Sequence, residues 1–124
     1  MVEQTLRNCR ILVVEDEYLL ADDLCNALTD AGAIVLGPVP EVEEALALIE
    51  REPHIDAAVL DVNLRGGMVF PVADALRDRN VPFALATGYD GWTLPERFSD
   101  VLRLEKPFRP ERLVAKLSPL ICSA

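Results

Sequence analysis

Short apolar runs alternate along the chain with segments whose apolar residues recur at helical spacing. Ile11-Leu12-Val13-Val14 is rich in β-branched residues and is followed at once by acids, the pattern of a strand buried on both faces. Leu20, Leu24, Ala27, Leu28 and Ala31 then keep a helical period, and Gly32 stands where a helix ends. Ala33-Ile34-Val35-Leu36 predicts a second strand closed by Gly37-Pro38. Val42, Ala45, Leu46 and Ile49 predict a second helix. Ala57-Ala58-Val59-Leu60 predicts a third strand ending at Asp61, and Val69, Val72, Ala73 and Leu76 a third helix. Pro82-Phe83-Ala84-Leu85-Ala86 predicts a fourth strand ending at Thr87. The stretch 88–99 is turn-rich, with room for only a short helix near 95–98. Val101-Leu102-Arg103-Leu104 predicts the fifth strand. Pro110 suits the first turn of a last helix, with Leu113, Val114, Leu117 and Ile121 on its apolar side.

Five repeats of strand then helix imply an α/β fold with a parallel sheet covered by helices on both faces. In a doubly wound sheet of this kind, the site lies outside the carboxyl ends of the strands, at the topological switch point. The 124 residues suffice for one domain with one core, and 51% hydrophobic residues make a packed globule the expectation. No linker or low-complexity segment interrupts the pattern, so a single domain spanning 1–124 with no output domain is expected. No run approaches the roughly 20 apolar residues that cross a bilayer, and residues 1–10 lack the pattern of a secretory signal. Cys9, Cys25 and Cys122 are odd in number and widely spaced, which favours reduced thiols in a cytoplasmic protein over disulfides or zinc. The net charge of −9 argues against nucleic acid and anionic membrane as partners.

The residues at the strand ends carry the chemistry. The first strand ends in Glu15, Asp16 and Glu17, the third in Asp61 and the fourth in Thr87, while Lys106 follows the fifth, before Pro107. Any one of these alone is more often a helix cap than a functional group. Together they suit phosphoryl transfer. A carboxylate cluster binds a hard divalent cation such as Mg²⁺ through oxygen, and one Asp can carry an aspartyl-phosphate. A lysine and a hydroxyl can then neutralise and hydrogen-bond the phosphoryl oxygens.

The blocks VVEDE, LDVNLRGG, LATGY and EKPF, in this order and spanning 13–108, resemble the four signature blocks of the response-regulator receiver (CheY-like) family. LATGY resembles in particular the fourth-strand FATGY motif of a stand-alone receiver subset, with Leu85 where Phe is typical. The resemblance implies a flavodoxin-like (βα)5 three-layer sandwich with strand order 2-1-3-4-5. It implies Asp61 as phosphoacceptor, Asp16 as a direct Mg²⁺ ligand, and Glu15 as an acid acting on the metal through water. It also implies Asn63 as the donor of a metal-ligating backbone carbonyl, Thr87 as switch hydroxyl and Lys106 as phosphate-binding lysine. The implied partners are a sensor histidine kinase or histidine phosphotransfer protein, with a downstream protein target or a phosphate-sink role. The implied activity is limited to self-phosphorylation and autodephosphorylation.

Three departures from the family pattern stand out. Arg103 occupies the position, three before the lysine, where an aromatic switch residue is usual. Lys106 lies only nineteen positions after Thr87, so the fourth helix is expected to be stunted. Arg65-Gly66-Gly67 replaces the more usual Pro-containing loop. An exposed Arg103, with Tyr89 and Trp92 in the loop after Thr87, is therefore the expected switch and partner surface. His54 reads as a surface residue and Phe108 as core.

Two other functions with related chemistry or the same sheet order fit less well. A phosphohydrolase of the haloacid dehalogenase type resembles DxDxT at its nucleophile, whereas Asp61-Val62-Asn63 lacks the second acid. A flavodoxin-type carrier needs a phosphate loop rich in Ser, Thr and Gly after the first strand, where this chain has Glu15-Asp16-Glu17.

Overall fold

The computed structural model describes residues 5–64, 67–88 and 94–121. The apolar runs become the strands β1 (Arg10–Val14), β2 (Ile34–Val39), β3 (Ala57–Asp61), β6 (Phe83–Thr87) and β7 (Leu102–Glu105). A small ribbon, β4 (Asn63–Leu64) with β5 (Gly67–Met68), follows β3. The five longer strands form one parallel sheet in the order β2-β1-β3-β6-β7, which is 2-1-3-4-5 when only these strands are counted. β1 lies between β2 and β3, and the order reverses there, so the carboxyl ends of β1 and β3 flank the switch point.

Alternation along the strands divides the core in two. Leu12, Val14, Ala58, Leu60, Phe83 and Leu85 face the layer built by α2 (Val42–Arg51) and α3 (Phe70–Asp78). Ile11, Val13, Ala57, Val59, Ala84 and Leu104 face α1 (Tyr18–Asp30) and α4 (Pro110–Ile121). β1 is buried on both faces beyond Arg10 and β3 along its whole length, as continuous apolar runs require. Helix α1 is capped at Ala31, and Gly32 takes the left-handed conformation (φ 96°) just beyond it. Cys9 and Cys25 are free thiols. Burial, reinforced by Asp22, holds the Cys25 thiol above its ordinary range, which disfavours the thiolate.

The structure revises three local expectations. First, β2 does not close at Gly37-Pro38 but runs on to Val39, across a register shift opposite β1. Gly37 makes this passage possible. Its φ is +100°, and a Cβ there would lie 2.9 Å from the Val39 nitrogen and 3.0 Å from the Val13 oxygen. Second, Val69 is not inside the third helix but precedes it, its N–H donating to the Val62 carbonyl at 3.0 Å. Third, the chain between Asp61 and α3 is shaped by the β4–β5 ribbon, which is too short to leave a periodic signal.

The short helix expected near 95–98 is a single 3₁₀ turn, Glu96–Phe98. It is clamped to α3. Arg97 Nε and Nη2 donate to the two carboxylate oxygens of Asp74, each at 3.0 Å, and Arg77 pairs with Asp100 at 3.2 Å while also donating to the Arg97 carbonyl. His54 is exposed and paired with Asp56. Phe108 is half-buried against the α1–α4 core.

Candidate phosphoacceptor site

Parallel pairing brings Asp61, at the end of β3, level with Ala86, next to Thr87 on β6. It also sets Thr87 opposite Glu105 on β7. Glu15 continues β1 by one residue, its N–H donating to the Val39 carbonyl of β2 at 3.1 Å. The Lys106 N–H donates to the Thr87 carbonyl at 2.7 Å, so the lysine loop is tied to the end of β6. Thus backbone pairing alone carries Glu15, Asp61, Thr87 and Lys106 to one rim of the sheet.

Glu15, Asp61 and Thr87 are the buried polar residues among those described, at 3%, 6% and 5% exposure. One carboxylate oxygen each from Glu15, Asp16 and Asp61 lies within 4.8 Å of the others. Lys106 Nζ reaches in from the side, 3.3 Å from Asp61 Oδ2, 3.2 Å from Glu15 Oε1 and 3.9 Å from Glu17 Oε2. The Asn63 N–H donates to Asp61 Oδ1 at 3.4 Å and the Glu17 N–H to Glu15 Oε2 at 3.1 Å. Asp16 is half-buried at the mouth and engaged in its own interactions. The cap of α1 is Glu17, without a side-chain capping bond, so capping does not account for the acids after β1. A Cβ at Gly88 would meet nothing within 4 Å. Tyr89 and Trp92 lie outside the described residues, and Arg103 is exposed on β7.

The electrostatics are those of a site short of positive charge. Burial, then the adjacent Asp61 carboxylate, push the Glu15 carboxyl from 4.5 up to about 7. Burial pulls the Lys106 ammonium down, but the Asp61 and Glu15 charges outweigh it, and the group is held above its usual value. Glu15 Oε1 is buried and accepts no directed hydrogen bond, although Lys106 lies within ion-pair distance. A buried carboxyl oxygen that lacks a directed hydrogen bond and converges with the Asp16 and Asp61 carboxylates fits a hard divalent cation that takes oxygen ligands.

A stability consequence follows for the metal-free protein. Because the folded-state value of Glu15 is raised, its contribution to stability is complete below pH 4.5 and is lost as the pH rises through about 7. Glu15→Gln should therefore raise the melting temperature at pH 8 in EDTA and flatten its fall between pH 4.5 and 7. Thermal melts across that range check this, and a variant that melts lower than wild type at pH 8 would refute it.

No family model matches the chain. Its relatives are nonetheless consistent with one another. It is 34% identical over 119 residues to the two-component response regulator PhoP of Pseudomonas aeruginosa, covering 90% of this chain and 51% of PhoP. The solution structure of SdrG from Sphingomonas melonis Fr1 superposes with a TM-score of 0.79 at 43% identity, covering 91% of this chain and 96% of SdrG. This chain belongs to the response-regulator receiver family. A second SdrG structure, the BeF3-activated conformation from Pseudomonas melonis Fr1, matches this receiver at 42% identity and TM-score 0.74 over 98% and 99% of the two chains. The receiver spans about half the length of PhoP, and no described helix is long and apolar enough to cross a membrane.

Sequence reasoning found every acid that converges here and the lysine between them. It missed Glu17 as a further neighbour of Lys106 and the Asn63 N–H as a bond to Asp61. Glu17 carried a signal, since it stands directly after the two acids. The Asn63 contact carried none, because it depends on the turn into β4.

Proposed function

We propose that this receiver takes a phosphoryl group onto Asp61 from the phosphohistidine of a sensor kinase or histidine phosphotransfer protein, and that the acquired charge changes its affinity for a partner or drains the donor. The observation that carries this reading is the placement of a buried strand-end carboxylate with an ammonium group 3.3 Å from one of its oxygens and two further acids beside it. The carboxylate oxygen of Asp61 attacks phosphorus, the P–N bond to the donor imidazole breaks, and its electron pair leaves with the imidazole. Lys106 neutralises one side of the transferred group and the Thr87 hydroxyl donates to another oxygen. Glu15, Asp16, Asp61 and the Asn63 backbone carbonyl would hold Mg²⁺, which supplies the remaining positive charge when bound. The BeF3-activated form of SdrG supports the comparison.

Beryllofluoride tests the proposal without a kinase. In Mg²⁺ it should bind the wild-type protein and raise its stability by about 2.7 kcal/mol at a hundredfold excess over Kd, and Asp61→Asn should show no such rise. An equal rise in Asp61→Asn would remove Asp61 from its role.

Lys106→Ala should remain folded and should gain much less from beryllofluoride than wild type does, because the lysine faces the ligand and not the core. An unfolded Lys106→Ala protein would instead assign the lysine to the fold, a distinction that circular dichroism makes directly.

A further inference from the structure

Glu17 is the acid at this rim that the proposed transfer leaves unused. It follows Glu15 and Asp16 directly, yet it is not one of the three carboxylates that converge on the cation site. Its backbone is fixed on both sides. The Glu17 N–H donates to Glu15 Oε2 at 3.1 Å, and its carbonyl accepts the Ala21 N–H at 2.9 Å in the first turn of α1. The side chain stands at the N-cap position but makes no capping bond. Its carboxylate is directed instead toward Lys106, with Oε2 3.9 Å from Nζ. That separation is too long for a hydrogen bond and leaves a contact between charges. The three acids around Lys106 also differ in depth. The Glu15 and Asp61 side chains are 1% and 7% exposed, Lys106 is 19% exposed and Glu17 is 66% exposed. Glu15 and Asp61 therefore hold the ammonium group from inside, and Glu17 stands on its solvent side.

A phosphoryl donor comes from solvent and must set an anionic oxygen against this same ammonium group, so it meets the Glu17 carboxylate on the way. Glu15 and Asp61 already pair the ammonium group at 3.2 and 3.3 Å, and Glu17 is not needed to hold it. What Glu17 adds is negative potential at the mouth, which slows the arrival of anions. We propose that Glu17 is a specificity-determining residue that holds small anionic phosphodonors of the acyl phosphate class back from Asp61. The inference rests on the phosphoacceptor reading. With acetyl phosphate as donor, the Asp61 carboxylate oxygen attacks phosphorus, the P–O bond to the acetyl group breaks, and its electron pair leaves with acetate. Glu17 takes no part in these bonds and acts on the approach of the donor. A phosphohistidine presented by a protein can meet this acid with a cation of its own, whereas a small acyl phosphate brings only negative charge.

The test follows acetyl phosphate uptake in Mg²⁺ at low salt by intact mass. Glu17→Gln keeps the size of the side chain and both backbone bonds. It should raise the uptake rate at low donor concentration at least about fivefold. The gain should lie in the half-saturating concentration, with the maximal rate within about twofold of wild type, as a change in donor approach alone requires. It should fade as salt is added, and it should be smaller for phosphoramidate, which carries less negative charge than acetyl phosphate. Glu17→Asp should stay close to wild type. Glu50→Gln, which removes an exposed acid in the last turn of α2, should change little. Equal rates for wild type and Glu17→Gln at low salt would overturn the proposal. So would a gain that persists in high salt or is the same for both donors, since that would assign Glu17 to the structure of the site. No label on the wild type, or a label that persists in Asp61→Asn, would overturn the phosphoacceptor reading and this inference with it, so the two failures are told apart.

Discussion

Chelating divalent metal should slow phosphoryl uptake by this receiver at least about a hundredfold. Three carboxylates converge at the strand ends with one ammonium group among them, and the incoming phosphoryl donor is itself anionic. Unit charges 4 Å apart interact by about 4 kcal/mol at an effective dielectric near 20, so Lys106 alone cannot offset the repulsion. Burial, and after it the adjacent Asp61 carboxylate, already hold the Glu15 proton up to about pH 7. Acetyl phosphate with and without EDTA, read by intact mass, measures the effect. Asp16→Asn should reproduce much of it in the presence of Mg²⁺. Uptake at the full rate in EDTA would remove the metal from the account.

The largest effect on stability should come from a residue far from the acids. Phe98→Ala should cost about 3–5 kcal/mol and lower the melting temperature by roughly 10–20 °C. Phe98 is 1% exposed, stacked on Phe70 at 5.6 Å between centroids and edge-on to Phe83 at 6.1 Å. The guanidinium groups of Arg97 and Arg77 lie 4.6 and 5.3 Å from its ring centroid, contacts worth about 0.5–1 kcal/mol each at exposed sites. The 3₁₀ turn Glu96–Phe98 thus plugs the α2–α3 side of the sheet where the fourth helix is stunted. A chemical melt checks the figure, and a loss below about 1 kcal/mol would mean that Phe98 is replaceable filler.

Phe98 also marks how far the sequence could be read. The strands were legible because burial on both faces of a parallel sheet leaves continuous apolar runs, as in Ala57–Asp61 and Phe83–Thr87. The acids and the lysine were legible because each follows such a run and the topology returns every strand end to one rim. The path of β2 through Gly37-Pro38 was not, since the two residues that usually end a strand here permit a register shift. The two-residue strands of the ribbon carry no period. The aromatic contacts of Phe98 are tertiary facts with no local signal. Arg103 was singled out only because an aromatic is usual there, and the structure places it exposed on β7.

The central claim is that Asp61 alone carries the phosphoryl group, and it is tested most directly by locating that group. Wild-type protein treated with acetyl phosphate and Mg²⁺, then reduced with borohydride and mapped by peptide mass spectrometry, should show one modified residue, Asp61. The adduct should be lost to hydroxylamine before reduction, and Asp61→Asn should gain none. A phosphoryl group mapped to another residue, such as His54 or Asp16, and undiminished in Asp61→Asn would contradict the account.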